Sequence, residues 1–176
     1  MLRKIMVLFC FLFFLCALGP HPQKTYTILI SIDGFRYDYP DIFNLKFLKS
    51  LRGKSISQKP LAPVYPSKTF PNHYSMVTGF YPDEHGIIGN FFFDKESKRT
   101  YAISDEDEKK DPRWYKKDPI WVLLEKKSVK TASYFWPVSD VLLSGVRPSY
   151  LIAWTREKEK KASFDMILDQ GLEWLK

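Results

Sequence analysis

The chain has 176 residues, a net charge of +7 with histidine neutral, and 45% apolar residues. That is enough apolar content for a packed core, and the length, without an internal repeat, fits one domain or part of one. The basic pairs at 109–110, 116–117, 126–127 and the run 158–161 are scattered and often sit beside acids, so they read as solvated faces. They favour anionic substrates or surfaces, and they exclude the aromatic-interleaved basic footprint of a specific nucleic-acid binder.

Met1–Lys4 carries two positive charges, and residues 5–18 are an unbroken run of apolar residues and cysteines closed by Gly19 and Pro20. This reads as a secretory signal peptide over residues 1–19. The run is short against the ~20 residues of a membrane-spanning helix. Cleavage is expected near Ala17, although Leu15 is a mediocre fit at the third position back. An uncleaved anchor is the alternative, and a lipoprotein signal fits less well because Phe14 and Leu15 before Cys16 are bulky. Without an anchor no permanent membrane span is expected, and the location is secreted, periplasmic or cell-envelope. Cys10 and Cys16 both lie in this segment, so the mature chain, from about residue 24, has no disulfide and no thiol for catalysis or metal binding.

Tyr26–Ile32 is β-branched and apolar, which predicts a buried central strand ending at Asp33-Gly34-Phe35-Arg36. An acid at the carboxyl end of such a strand is where open α/β sheets place their sites, and it is equally a common turn residue. Asp41 is expected to cap a helix over about 42–52, with Phe43, Phe47 and Leu51 at helical spacing and Gly53 ending it. Residues 55–64 read as an edge strand or irregular approach, broken by Pro60 and Pro63.

Pro66-Ser67-Lys68-Thr69-Phe70-Pro71-Asn72-His73-Tyr74 then opens a helix over 70–78, with Pro71 in the first turn, Gly79 past the end, and Met76 and Val77 as core contacts. Thr69 falls at the positive end of that helix. There it serves either as an N-cap or beside a bound anion such as phosphate.

Residues 81–86 read as a turn-rich loop, and 87–93 and 98–103 as the arms of a hairpin. Residues 104–117, dense in charge, read as a surface loop or a lid-like insertion. A helix is expected over 119–127 with Ile120, Leu123 and Leu124 on one face, and a second buried strand over 130–136. Residues 139–150 read as loop, and 161–176 as an amphipathic helix. Strand, helix, strand succession predicts an α/β fold with a largely parallel sheet and helices on both faces.

The motifs Ile32-Asp33-Gly34-Phe35-Arg36, Tyr65–Tyr74, Val77-Thr78-Gly79-Phe80-Tyr81-Pro82 and His85-Gly86-Ile87 through Asn90 resemble the ectonucleotide pyrophosphatase/phosphodiesterase family of the alkaline phosphatase superfamily. Weaker echoes are Pro119-Ile120-Trp121, Phe135-Trp136-Pro137 and Gly145-Val146-Arg147-Pro148. The resemblance implies an alkaline-phosphatase-like three-layer α/β/α sandwich, incomplete at the C-terminus. It implies secreted or membrane-anchored hydrolases with two zinc ions, acting on a phosphodiester, nucleotide or phospholipid head group through a phosphothreonine intermediate. Thr69 would be the nucleophile and a zinc ligand, and Asp33 a ligand of the same ion. Asn90 and a backbone N–H near Thr69 would hold phosphoryl oxygens, with Lys68 and Phe70 beside the substrate.

In the family, two further aspartates and three histidines from downstream complete both zinc sites. Of this chain's three histidines, His21 is at the processed terminus, and His73 and His85 match framework positions. The expectation is therefore an inactive fragment of such an enzyme. A complementing half of a two-chain enzyme and a non-catalytic phosphate-binding module stand as alternatives.

Overall fold

The computed structural model describes residues 25–57 and 60–175, and the chain divides into two units, 1–31 and 32–176. The signal segment expected over 1–19 lies outside the described residues. In the first unit, residues 25–31 form no strand, and Ile28 and Ile30 are 67% and 75% exposed. The buried strand expected over 26–32 is thus absent. β-branched residues favour a strand only when a neighbour completes the ladder, and the ladders among the described residues are formed by other strands.

The second unit holds the helices and all the described strands. Its first helical region splits into Tyr39–Ile42 and Lys46–Lys54, because Asn44 takes a left-handed conformation (φ 49°) between them. Asp41 therefore lies inside the first helix rather than capping the second, where it pairs with Arg52 and Lys49. Gly53 does not end the second helix, which continues to Lys54. No strand occurs among the described residues of 55–64.

The next helix, Thr69–Thr78, is well specified locally. Lys68 is extended at the N-cap, Pro71 sits in the first turn, and Gly79 takes φ 75° so that its N–H closes on the Ser75 carbonyl. Pro71, Tyr74 and Val77 turn inward at helical spacing, whereas Met76, expected in the core, is exposed. A short helix at Pro82–His85 replaces the loop expected over 81–86.

The expected hairpin forms as β1 (Phe91–Asp94) and β2 (Arg99–Ala102), antiparallel, with Phe92 opposite Tyr101 and Asp94 opposite Arg99. Phe92 turns inward and stacks on Tyr101 at 5.0 Å. The charged stretch that follows is no free loop or lid. Asp105 caps a helix at Glu106–Lys110, Asp111 caps a 3-10 turn at Pro112–Trp114, and Trp114 and Tyr115 enter the core. Arg99 pairs with Glu108 and Asp111, and the Trp114 indole donates to Glu108, which ties the segment to β2. Lys109, read above as solvated, is only 5% exposed. Its ammonium pairs with Glu106 and lies 5.7 Å from the Trp154 ring centroid.

The helix expected over 119–127 runs from Ile120 to Glu125. Its inward residues are Trp121 and Val122, while Ile120 and Leu123 face outward. The second strand, β3 (Ala132–Tyr134), pairs in parallel with β4 (Tyr150–Ile152), a strand lying where loop was expected to end. Glu125 joins this pair: its carboxylate accepts the Thr131 N–H and hydroxyl and the Ser149 N–H and hydroxyl, all at 2.7–2.9 Å. Burial alone would raise the Glu125 carboxyl, but these hydrogen bonds outweigh it and hold the group down at about 2.

The amphipathic helix expected over 161–176 runs from Phe164 to Trp174, starting late because Ser163 caps it. A separate short helix, Arg156–Lys161, precedes it where none was expected. The core comprises Tyr74, Val77, Ile87, Tyr101, Trp114, Tyr115, Trp121, Val122, Val138, Val141 and Leu143, drawn from the Thr69 helix through the 141–146 loop. The fold is α/β, and among the described residues parallel pairing is confined to β3 and β4.

Candidate active site at the Thr69 helix

Three features converge on the start of the Thr69 helix. Thr69 is its first residue, while the N-cap is Lys68, whose side chain makes no capping bond. The N-cap reading of Thr69 is thereby replaced. Its hydroxyl is turned away from the helix and donates to Oδ2 of Asp33 at 3.0 Å. Asp33 is exposed and sits with Gly34 in a turn, where Gly34 takes φ 68° and the Phe35 N–H bonds the Ile32 carbonyl. It lies in a tight turn, and not at the end of a paired strand.

Asn90 is the third feature. It immediately precedes β1, and its Oδ1 accepts the Phe70 N–H at 3.1 Å. That backbone donor is engaged by Asn90 in this arrangement, and the Nδ2 end of the amide is the end able to donate to a ligand. Lys68 is exposed and Phe70 half-buried at the same corner.

The helix is braced on its far side by His85. This ring is completely buried, edge-on to Tyr74 at 5.0 Å. Its Nδ1 accepts the Ile87 N–H at 3.2 Å, so Nε2 carries the proton and donates to Ser75 Oγ at 2.9 Å. Burial pushes the His85 imidazole below its ordinary value, so the neutral form is the one the fold holds.

The Asp33 and Thr69 oxygens suit a hard or borderline cation. Their 3.0 Å separation is one that a single zinc ion, with metal–oxygen distances of about 2.0–2.2 Å, can bridge. Among the described residues, however, no group of three or more His, Cys, Asp or Glu side chains is placed to hold an ion. The pair fits as two donors of a larger set.

Asn72 carries no role in the motif reading, yet it ties the approach segment to the helix. It accepts the Val64 N–H at 2.8 Å and donates to the Lys68 carbonyl at 2.8 Å. The local signal for this is an amide three residues beyond a helix start, which sequence patterns alone leave ambiguous.

A family model described as "Type I phosphodiesterase / nucleotide pyrophosphatase" matches residues 27–175. The chain is 39% identical over 151 residues to mouse ectonucleotide pyrophosphatase/phosphodiesterase family member 1, covering 85% of this chain and 16% of that protein. It is 40% identical over 161 residues to an uncharacterized pyrophosphatase/phosphodiesterase of Schizosaccharomyces pombe, covering 89% and 32%. The chain thus spans under a third of the length of these curated relatives. Among solved structures, murine ectonucleotide pyrophosphatase/phosphodiesterase 5 superposes with a TM-score of 0.75 at 26% identity, over 82% of this chain and 38% of that one. An inactive threonine-to-alanine form of that murine protein, in complex with AMP, superposes with a TM-score of 0.78 at 24% identity, over 86% and 39%.

Proposed function

Because the chain belongs to the type I phosphodiesterase / nucleotide pyrophosphatase family, we propose that it carries the nucleophile corner of a site cleaving phosphodiester or pyrophosphate bonds. The observation that carries this reading is the Thr69 hydroxyl, aimed at Asp33 from the first residue of a helix and adjacent to Asn90. The inactive threonine-to-alanine form of the murine relative supports the choice of a threonine as the reacting group.

In this reading the substrate is a small phosphodiester, nucleotide or phospholipid head group. Lys68, exposed at the rim, attracts its negative charge, and Phe70 offers an aromatic face beside it. The Asn90 Nδ2–H group and the partial positive charge of the helix start stabilise the phosphoryl oxygens as they gain charge. Asp33 holds the Thr69 proton in a hydrogen bond and so directs the Oγ1 lone pairs at phosphorus. Oγ1 attacks phosphorus as its proton passes through Asp33 to solvent, forming a phosphothreonine ester. The bond to the leaving oxygen breaks meanwhile, and that oxygen takes a proton from solvent. Water then breaks the phosphorus–Oγ1 bond, leaving one proton on Oγ1.

Asp33 and Thr69 would hold one of the two zinc ions implied by the family resemblance, and zinc when bound supplies Lewis acidity that makes a hydroxyl reactive at neutral pH. Two donors are too few for a stable zinc site, which takes three or four protein ligands. Turnover therefore needs donors beyond this pair, and the described residues alone support phosphate binding better than hydrolysis. The basic head and apolar run of residues 1–18 support export to the periplasm, cell envelope or medium.

The test is exposure of the purified chain to a nitrophenyl phosphodiester with and without zinc, followed by mass spectrometry for phosphothreonine. Without further donors no turnover is expected. If turnover occurs, in an assembled site, it should need zinc and vanish in Thr69→Ala. Zinc-dependent turnover that survives Thr69→Ala removes Thr69 from the role proposed.

A further inference from the structure

Thr69 is gripped by side chains of its own helix. His73, four residues on, donates Nδ1–H to the Thr69 carbonyl at 2.8 Å. A carbonyl only accepts, so the ring carries a proton on Nδ1. Asn72 donates Nδ2–H to the Lys68 carbonyl at 2.8 Å and more loosely to the Pro66 carbonyl at 3.4 Å, while its Oδ1 is fixed by the Val64 N–H. Both peptide units that flank Thr69 are therefore held at their carbonyl oxygens. The second is also held at its N–H, which Asn90 Oδ1 accepts.

A helix needs none of this. The Lys68 carbonyl already accepts the Asn72 N–H at 3.2 Å, as an ordinary first turn requires. What the additional bonds restrict is the φ and ψ of Thr69, and with them the direction of the Cα–Cβ bond that carries Oγ1 to Asp33. His73 is itself well anchored: it is 7% exposed, and its ring lies edge-on to Trp136 at 5.4 Å. The Trp136 indole N–H reaches the His73 carbonyl at 3.4 Å. The grip thus extends to the segment that follows β3.

We propose that Asn72 and His73 are positioning residues for Thr69, locking the two peptide planes on either side of it so that its hydroxyl keeps one direction. The proposal rests on the reading of Thr69 Oγ1 as the reacting atom. Neither side chain touches that atom, and His73 acts here as a fixed donor, not as a proton carrier.

Solution NMR on the purified chain tests this without any need for turnover. In the wild type, nitrogen shifts of the His73 ring should report a protonated Nδ1, and three-bond couplings should report a single Thr69 rotamer. His73→Asn places an amide nitrogen near the Nδ1 position and should keep that rotamer. His73→Gln places its nitrogen one bond further out and should average it. Exchange of the Phe70 amide should then speed up roughly five- to tenfold, the factor expected for losing one neutral hydrogen bond.

Asn72→Asp, whose second oxygen would face the Lys68 carbonyl, should act like His73→Gln. A His73 ring bare at Nδ1 overturns the proposal, as does an equal response of the Asn and Gln variants at position 73. If the His73 variants fail to fold, the wild-type tautomer and Asn72→Asp decide the matter. These readouts are independent of the Thr69→Ala activity test, so the two ideas fail separately.

Discussion

Thr69 and Asp33 stand thirty-six positions apart in the chain and 3.0 Å apart in space, hydroxyl to carboxylate. The contact joins a helix start to a tight turn and leaves Asp33 exposed to solvent. An exposed hydrogen bond of this kind adds little to stability, so the proposed use of the pair can be tested without unfolding the protein.

Asp33→Asn should therefore leave thermal stability within about 0.5 kcal/mol of wild type, as for most surface substitutions. With the further donors that a zinc site at this pair needs supplied, zinc affinity followed by calorimetric titration should fall in this variant, because a neutral amide is a far poorer ligand than a carboxylate. Unchanged zinc affinity in this variant would separate Asp33 from any metal role.

Stability should fall on mild acidification because of His85. Its folded-state value lies below the ordinary 6.5, so the unfolded chain takes up the proton first. The contribution is intact above 6.5 and is lost as pH drops through the lower folded value. Protonation would also turn Nδ1 into a donor facing the Ile87 N–H. Urea midpoints measured between pH 8 and pH 5 should decline in wild type and flatten in His85→Gln, whose neutral amide does not titrate.

Glu125 should govern stability at a lower pH. Its carboxyl sits at about 2 when folded against 4.5 as the ordinary value, so its contribution is present above 4.5 and disappears as pH falls toward 2. At neutral pH, Glu125→Gln can keep its oxygen on the Thr131 and Ser149 N–H groups and donate its amide to the Ser149 hydroxyl. It should therefore cost about 1–2 kcal/mol, the difference between charged and neutral hydrogen bonds. Hydrogen exchange should show the loss first at Thr131 and Ser149, the residues it holds at the starts of β3 and β4.

Two glycines with positive φ should respond differently to alanine. At Gly79 (φ 75°) a Cβ meets nothing within 4 Å, so Gly79→Ala should cost only the ~1–2 kcal/mol of a left-handed residue. At Gly86 (φ 92°) a Cβ would lie 2.4 Å from the Trp114 carbonyl oxygen. Gly86→Ala should add about 1–3 kcal/mol of overpacking to the same conformational cost. Chemical denaturation of the two variants side by side measures the difference.

Local chemistry was enough to read the Thr69 helix, since Pro71 and Gly79 punctuate it within a few residues and need no distant partner. The β1–β2 hairpin was legible for the same reason, its arms being joined by a short turn. The motif residues Asp33, Thr69, Phe70 and Asn90 could likewise be named as a set from the chain alone, as a resemblance.

The tertiary structure decided the rest, because burial and strand pairing depend on residues far away in sequence. Tyr26–Ile32 has ideal strand composition and forms no strand, since strand composition counts only where a ladder forms. Residues 104–117 look like solvent-facing loop by charge, yet Trp114 and Tyr115 draw them into the core. The bonds from Asn72 and His73 to the carbonyls around Thr69 are equally invisible in composition, since an amide or an imidazole early in a helix has many possible partners. Only the folded backbone, by bringing particular carbonyls within 3 Å of particular N–H groups, selects among them.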